Sequence, residues 1–383
     1  ARLRAELTDG SLKLNETVFS AGREVAFRLH GTVNRVAASD REGEVFLSLP
    51  ATPASALISA FSGLLPRSLQ EAALTGNVAV DGAFRIAGRG LRFNGELAMI
   101  NAGMDIHSQK LSIAGISGRI PLSIITGGPG DAPSAGGMEF SRENYPALLL
   151  KLQRKKTSGS ELKIGRIGFG PLELGETTLT MRAGNGLMEI TSIASTLHKG
   201  RLLGAGFLRM GNAATYGGNL LLNDISLRNL CNSLPAIKGY ISGMVDGIVS
   251  LRGDRTGLKG LLGFVDIWAR SGPKEAMLVS KEFLQRLAGR KLKGIFFRND
   301  RPYDRAEISA YLGQGYINFD LLDISHTNLF GIRDLSVQVA PVQNRIAIEH
   351  LLTSIKTAAA RGKGVAAPAE SQPLPETEFK WQE

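Results

Sequence analysis

Side chains able to bind metals, attack carbonyls or move protons are scattered along this chain rather than clustered. The five histidines, His30, His107, His198, His326 and His350, stand apart from one another, with no HExxH pair and no acidic calcium loop around them. A single cysteine, Cys231, excludes both an internal disulfide and a cysteine zinc site. No GxxxxGK[ST] phosphate loop occurs. Gly204-Ala-Gly206 comes nearest to a dinucleotide fingerprint, but it lacks the third glycine and sits between strands rather than at a strand-to-helix turn. Gly115-Ile-Ser-Gly118 has the wrong spacing for a nucleophile elbow. Nothing marks any pair among the 35 acidic residues as catalytic. The expectation is therefore a protein that is not an enzyme, with no catalytic residue, no metal and no cofactor.

The patterning that surrounds these residues is that of strands. Glycine accounts for 46 of 383 residues, well above its ordinary share of about 7%, and it recurs between short runs that alternate apolar and polar side chains. In 77–87, Val78, Val80, Phe84 and Ile86 share one parity while Asn77, Asp81 and Arg85 share the other. The same alternation holds for Ile241, Val245, Val249 and Leu251, for Ile317, Phe319 and Leu321, and for Leu335, Val337 and Val339 before Pro341. No charge falls on these apolar positions. The fold class expected is mainly β: a long curved antiparallel sheet with a few short capping helices. A sheet with one continuous apolar face, and too few long helices to cover it, must fold on itself or offer that face to an apolar ligand.

Four segments carry helical spacing: 53–65, capped by Thr52 with Pro53 in the first turn, 224–234, 274–290 and 349–361. A strand, a helix and a glycine-containing strand occur twice. Glu44 to Leu49, the first helix and Leu74 to Gly82 correspond to Gly218 to Asn223, the second helix and Ile241 to Gly247. The chain divides into a first unit (1–126), a Gly/Pro linker (127–137), a second unit (138–361) and a tail (362–383) expected to be disordered up to its last six residues. No apolar run reaches the ~18–20 residues of a spanning helix, and no signal peptide is visible. The expectation is a soluble portion of a longer protein whose targeting segment is missing here.

Two further features could contact partners. The net charge is +10, and Lys281 to Arg305 holds eight basic and three acidic residues. Arg286, Arg290, Lys291 and Lys293 would form either a solvated helix face or a patch for anionic lipid headgroups; sparse aromatics and the lack of a nucleic-acid motif exclude nucleic acid. In the terminal hexamer, Phe379 and Trp381 would share one face of a partner-binding strand added to a sheet edge, or of a strand docked on the chain's own sheet.

The stretches Gly200 to Gly204, Asn223-Asp-Ile-Ser-Leu-Arg-Asn-Leu230, Gly239 to Gly247 and Leu258 to Gly263 resemble the C-terminal region of AsmA-like proteins. In that family a strand ends in a D-x-S-L-x-x-L helix, followed by glycine-spaced strands. Gln343 to Ile348, followed by a short helix, looks most like the YdbH branch, whose C-terminal domain has been labelled dicarboxylate transport; TamB-type relatives share the plan. The resemblance covers residues 180 to 361, and the first unit through the repeat. It implies a sheet folded like a taco shell, whose groove carries phospholipid acyl chains between the bacterial inner and outer membranes. It also implies a periplasmic location, an N-terminal inner-membrane anchor and an outer-membrane lipoprotein or protein as partner at the C-terminal end. The competing expectation is a filled scaffold for outer-membrane biogenesis. A dicarboxylate carrier would need basic residues inside the groove, and the apolar positions contain none.

Overall fold

The structure, a computed structural model, describes residues 4–64, 70–126, 140–154, 158–209, 214–234, 238–270, 275–287, 299–338 and 344–353. Period-two alternation becomes one antiparallel sheet of 19 strands. The strands β1 (Ala5–Thr8), β2 (Ser11–Ala21), β3 (Val25–Asn34) and β4 (Glu42–Pro53) form a meander, and helix α1 (Ala54–Phe61) leads to β5 (Ala73–Ala87), β6 (Gly90–Ile106) and β7 (Leu111–Thr126). Helix α2 (Tyr145–Arg154) precedes β8 (Ser160–Ile164) and β9 (Arg166–Phe169). These two short strands both pair with β7 on one side and with β10 (Leu172–Gly184) on the other. The sheet therefore runs on without a break past residues 127–137.

It continues through β11 (Leu187–Leu197), β12 (Gly200–Arg209) and β13 (Thr215–Ser226). Helix α3 (Leu227–Ser233) and β14 (Ile241–Ser242) come before β15 (Met244–Asp254) and β16 (Leu262–Arg270). Next are β17 (Leu278–Val279), helix α4 (Lys281–Leu287) and β18 (Arg301–Pro302), then β19 (Arg305–Gly313) and β20 (Tyr316–Thr327). Last are β21 (Arg333–Gln338) and β22 (Arg345–Ala347), which share the edge of β20. Strands β14, β17 and β18 form a separate small sheet. Tight turns with left-handed residues, such as Asn185-Gly186 and Gln314-Gly315, match the twist of the strands they join.

The strand–helix–strand repeat is present as β4–α1–β5 and β13–α3–β15. Each copy carries a bulge just before its helix, opposite Val78 and Val80 in one and opposite Val245 and Gly247 in the other. The helix boundaries differ from expectation. Helix α1 starts after Pro53 with no side-chain cap; Thr52 instead belongs to the bulge in β4, where its hydroxyl donates to the Pro50 carbonyl at 2.7 Å. Helix α3 starts at Leu227 because the Ser226 hydroxyl accepts the Asn229 N–H, and the Glu275 carboxylate takes the N–H groups of Arg228 and Gly243 at 3.0 and 2.7 Å. The expected helix 274–290 is helical only from Lys281, where the Ser280 hydroxyl accepts the Phe283 N–H at 3.2 Å. Within it Leu278 and Val279 form β17, because pairing with both β14 and β18 satisfies their backbone, and residue 274 lies outside the described residues. Residues 288–290 lie outside the described residues. A helical stretch at 348–353 opens the expected 349–361 helix; 354–361 lie outside them.

The glycines follow the sheet's faces. In each of β3 to β7 one glycine, Gly31, Gly43, Gly82, Gly95 and Gly118, projects onto the same face as Val45, Phe84 and Ile120. Gly204, Gly218, Gly247 and Gly263 do so in β12, β13, β15 and β16. A Cβ at Gly43 would sit 2.7 Å from the Val33 Cα, and one at Gly247 would sit 2.9 Å from the Asp266 carbonyl oxygen. Adjacent backbones thus lie close together on this, the inner face, and glycines and register shifts of this kind are what let a sheet bend.

Candidate functional site

The inner, glycine-bearing face is the chain's most extended chemical feature. One row of directly paired residues can be followed across it. The row begins Thr52, Val78, Met99, Gly118, Leu162, Leu179 and Ile193. It continues Gly204, Leu220, Val249, Val265, Ala310 and Phe319. Twelve strand spacings of about 4.8 Å make a contour of roughly 58 Å with no charged side chain on it. The charges lie one residue over, on the outer face, as in the pairs Arg85 with Glu44 at 2.8 Å and Arg119 with Glu96 at 3.1 Å.

Three kinds of cover act on the inner face. Helix α1 lies over β3, with Phe61 edge-on to Phe27 at 5.9 Å between ring centroids. At the same end of the strands, the small sheet and α4 close over β16 and β19 to β21, where Met277, Val279, Leu284, Tyr303 and Leu335 are buried against Ile241, Ala269, Ala306, Ile324 and Val337. Between these caps, Ala102, Ile116, Leu162, Ile164, Met181 and Met188 bury one another, with no helix of the described residues in their cluster. Along the row β8, β10 and β11 contribute the larger Leu162, Leu179 and Ile193, flanked by Gly118 of β7 and Gly204 of β12.

This geometry sorts the residues expected to line a groove. Val80, Phe84, Ile86, Val249, Leu251, Ile317 and Phe319 are half-buried on the inner face, while Val78 and Val245 share that face but are almost wholly enclosed. Ile241 belongs to the small sheet, and Leu335 and Val337 pack beneath it, so these three form part of a cap rather than of an open surface. Leu321 is a correction: a bulge at Asp320 pairs Phe319 with Ala310 but Leu321 with Ser309, which turns Leu321 to the outer face and leaves Leu322 and Ile324 inside. Val339, Arg290, Lys291, Lys293, Phe379 and Trp381 lie outside the described residues. Arg286 falls in α4, and its side chain is likewise outside them.

The outer face holds a helix that is not among the four expected from the sequence. Helix α2 crosses it over β12 to β16, burying Tyr145 and Leu148 against Leu221, Ile248 and Trp268. The signal was present in Pro146, suited to a first turn, and in the helical spacing of Leu148, Leu149 and Leu152. Two polar clusters anchor it. The Tyr145 hydroxyl donates to the Leu222 carbonyl at 2.6 Å, beside the Arg270 pairs with Asp246 and Asp224. Burial, helped by Asp246, raises the tyrosine's pKa well above its usual value. Arg142 stacks over the Trp268 ring at 4.8 Å and bonds Glu307 at 2.8 Å, and Glu307 is also bonded by Arg305 at 2.6 Å.

Burial would push the Glu307 carboxyl up, but Arg142 and Arg305 together hold it below the ordinary glutamate range. A carboxylate with a depressed folded-state pKa stabilises fully above its unfolded value of about 4.3 and loses that contribution as pH falls through the folded value. Urea midpoints at pH 7 and pH 3 are expected to differ less in Glu307→Gln than in the native chain. Equal differences would mean that this carboxylate does not anchor α2.

Among the described residues, no three histidine, cysteine, aspartate or glutamate side chains gather to hold a metal, and no helix is long and apolar enough to cross a membrane. Set against protein-family models, curated proteins and solved structures, the chain matches none of them.

Proposed function

We propose that the chain carries phospholipid acyl chains along its inner sheet face, without catalysis, as part of a periplasmic bridge between inner and outer membranes. The observation that supports this reading is the uncharged row from Thr52 to Phe319. An acyl chain sliding along it meets apolar side chains, glycine and a hydroxyl, and no ion that must be desolvated. The resemblance of residues 180 to 361 to AsmA-like proteins points the same way. An inner-membrane anchor outside this chain, and an outer-membrane partner at the Phe379 and Trp381 end, belong to the same proposal.

Native mass spectrometry of the purified chain is expected to find co-purifying phospholipid. Phe319→Asp places a carboxylate at the half-buried end of the row and is expected to lower lipid occupancy about tenfold or more while the circular dichroism spectrum stays unchanged. A lipid-free native protein, or a folded variant with undiminished lipid, would overturn the conduit.

A second reading, a non-enzymatic scaffold for outer-membrane assembly with a filled core, is favoured by one observation: the side chains around Met181 and Met188 bury one another. The same spectra separate the two, because a filled core carries no lipid.

A further inference from the structure

The turn between β20 and β21 displays three large apolar side chains to solvent: Leu329 at 103%, Phe330 at 88% and Ile332 at 62% relative exposure. It is tightly built. The Asn328 N–H donates to the Ile332 carbonyl and the Gly331 N–H to the Asn328 carbonyl, each at 2.9 Å. The Asn328 side-chain oxygen accepts the N–H groups of Phe330 and Ile332 at 3.0 and 3.1 Å. Gly331, at φ +75°, makes the left-handed step that an L side chain would strain. Four backbone N–H groups of the turn are thus paired within it, which holds the apolar side chains outwards.

We infer that this tip docks the protein on a phospholipid bilayer, with Leu329, Phe330 and Ile332 entering the headgroup and upper acyl region. Water leaves such a region, so backbone donors brought into it need partners; the Asn328 side chain supplies them in advance for Phe330 and Ile332, and the Asn328 main-chain carbonyl does so for Gly331. The charge around the tip suits an anionic surface. Arg333 is exposed next to it, and of the acids beside the turn Asp334 is already paired with Arg301 at 2.8 Å and His326 at 2.6 Å, while Asp304 accepts the Thr327 N–H at 2.9 Å. The tip protrudes from the capped end of the sheet, beside the small sheet and α4. The inference extends the conduit reading by naming the surface that this end meets, and it rests on that reading only for its purpose.

The test uses the full chain and vesicles of phosphatidylethanolamine and phosphatidylglycerol. Phe330→Trp is expected to show a blue-shifted emission on vesicle addition and quenching by brominated lipid, each read as the difference from the native chain, which already carries Trp268 and Trp381. The double substitution Leu329→Ser with Phe330→Ser is expected to weaken vesicle partitioning about tenfold or more, with an unchanged urea midpoint because neither side chain is packed. An introduced indole that stays unquenched, or a double variant that partitions like the native chain, would overturn the docking. So would tip-dependent capture of a protein by a chain that leaves vesicles alone. Lipid occupancy measured on the same samples keeps the two ideas apart. Vesicle binding by a lipid-free chain supports the docking and removes the conduit, and lost vesicle binding with retained lipid in the double variant supports both.

Discussion

Gly118→Ala is expected to be the most damaging small substitution in this protein, costing about 3 kcal/mol or more of unfolding free energy. Gly118 sits in β7 at φ +131°, and a Cβ there would overlap the Glu161 carbonyl oxygen and stand 2.9 Å from the Leu162 Cα. Both neighbours are backbone of β8, held by the pairing of Gly118 with Leu162, so neither can turn aside as a side-chain tip could. This junction also joins the two halves of the sheet, since the described ladder pairing passes from β7 to β10 through the short strands β8 and β9. The control is Gly184→Ala at the end of β10, where an added Cβ meets nothing within 4 Å and the expected change is within about 0.5 kcal/mol. Urea denaturation of both variants checks the difference. Equal midpoints would remove the claim that glycine on the inner face is a steric requirement.

The second large effect contrasts two neighbours in β15. Ile248 is wholly enclosed beneath α2 with Leu221 and Trp268, so Ile248→Ala removes packed methyl groups and leaves a cavity, at an expected cost of about 2–5 kcal/mol. Val249, one residue on, points to the inner face between Leu220 and Val265 and is half-buried. Val249→Asp is expected to change stability far less, by about 1 kcal/mol where water can reach the carboxylate, yet to lower lipid occupancy strongly. Denaturation midpoints and native mass spectra, measured together, read both halves. A Val249→Asp chain that unfolds as readily as Ile248→Ala would mean that the inner face is as tightly packed as the outer one, which would favour the filled scaffold.

Much of this was legible in the sequence, for a definite reason. Strand parity is a local property, so the shared face of Val78, Val80, Phe84 and Ile86 could be read directly. Parity fails where a bulge inserts a residue, as it does at Asp320, because one extra residue reverses every side chain beyond it; Leu321 was misplaced on that account. Helix extent failed at 274–280, where stretches distant in the chain, Ile241–Ser242 and Arg301–Pro302, recruit Leu278 and Val279 into a sheet. Helix α2 was not among the expected helices, since nothing local says that a ten-residue helix will find its partners on strands far along the chain.

By itself, the amino-acid order determined a mainly β chain, the recurrence of a strand–helix–strand unit, and one apolar parity free of charge. These follow from interactions between residues close in sequence. Only the tertiary structure decided that a single sheet spans both units, that its glycines gather on the inner face, and that α2 covers the outer face while α4 and the small sheet close one end of the inner one. Those outcomes depend on register, and register is set by which distant backbones can approach closely enough to pair, a condition that Gly118 and Leu162 meet only once the sheet has formed.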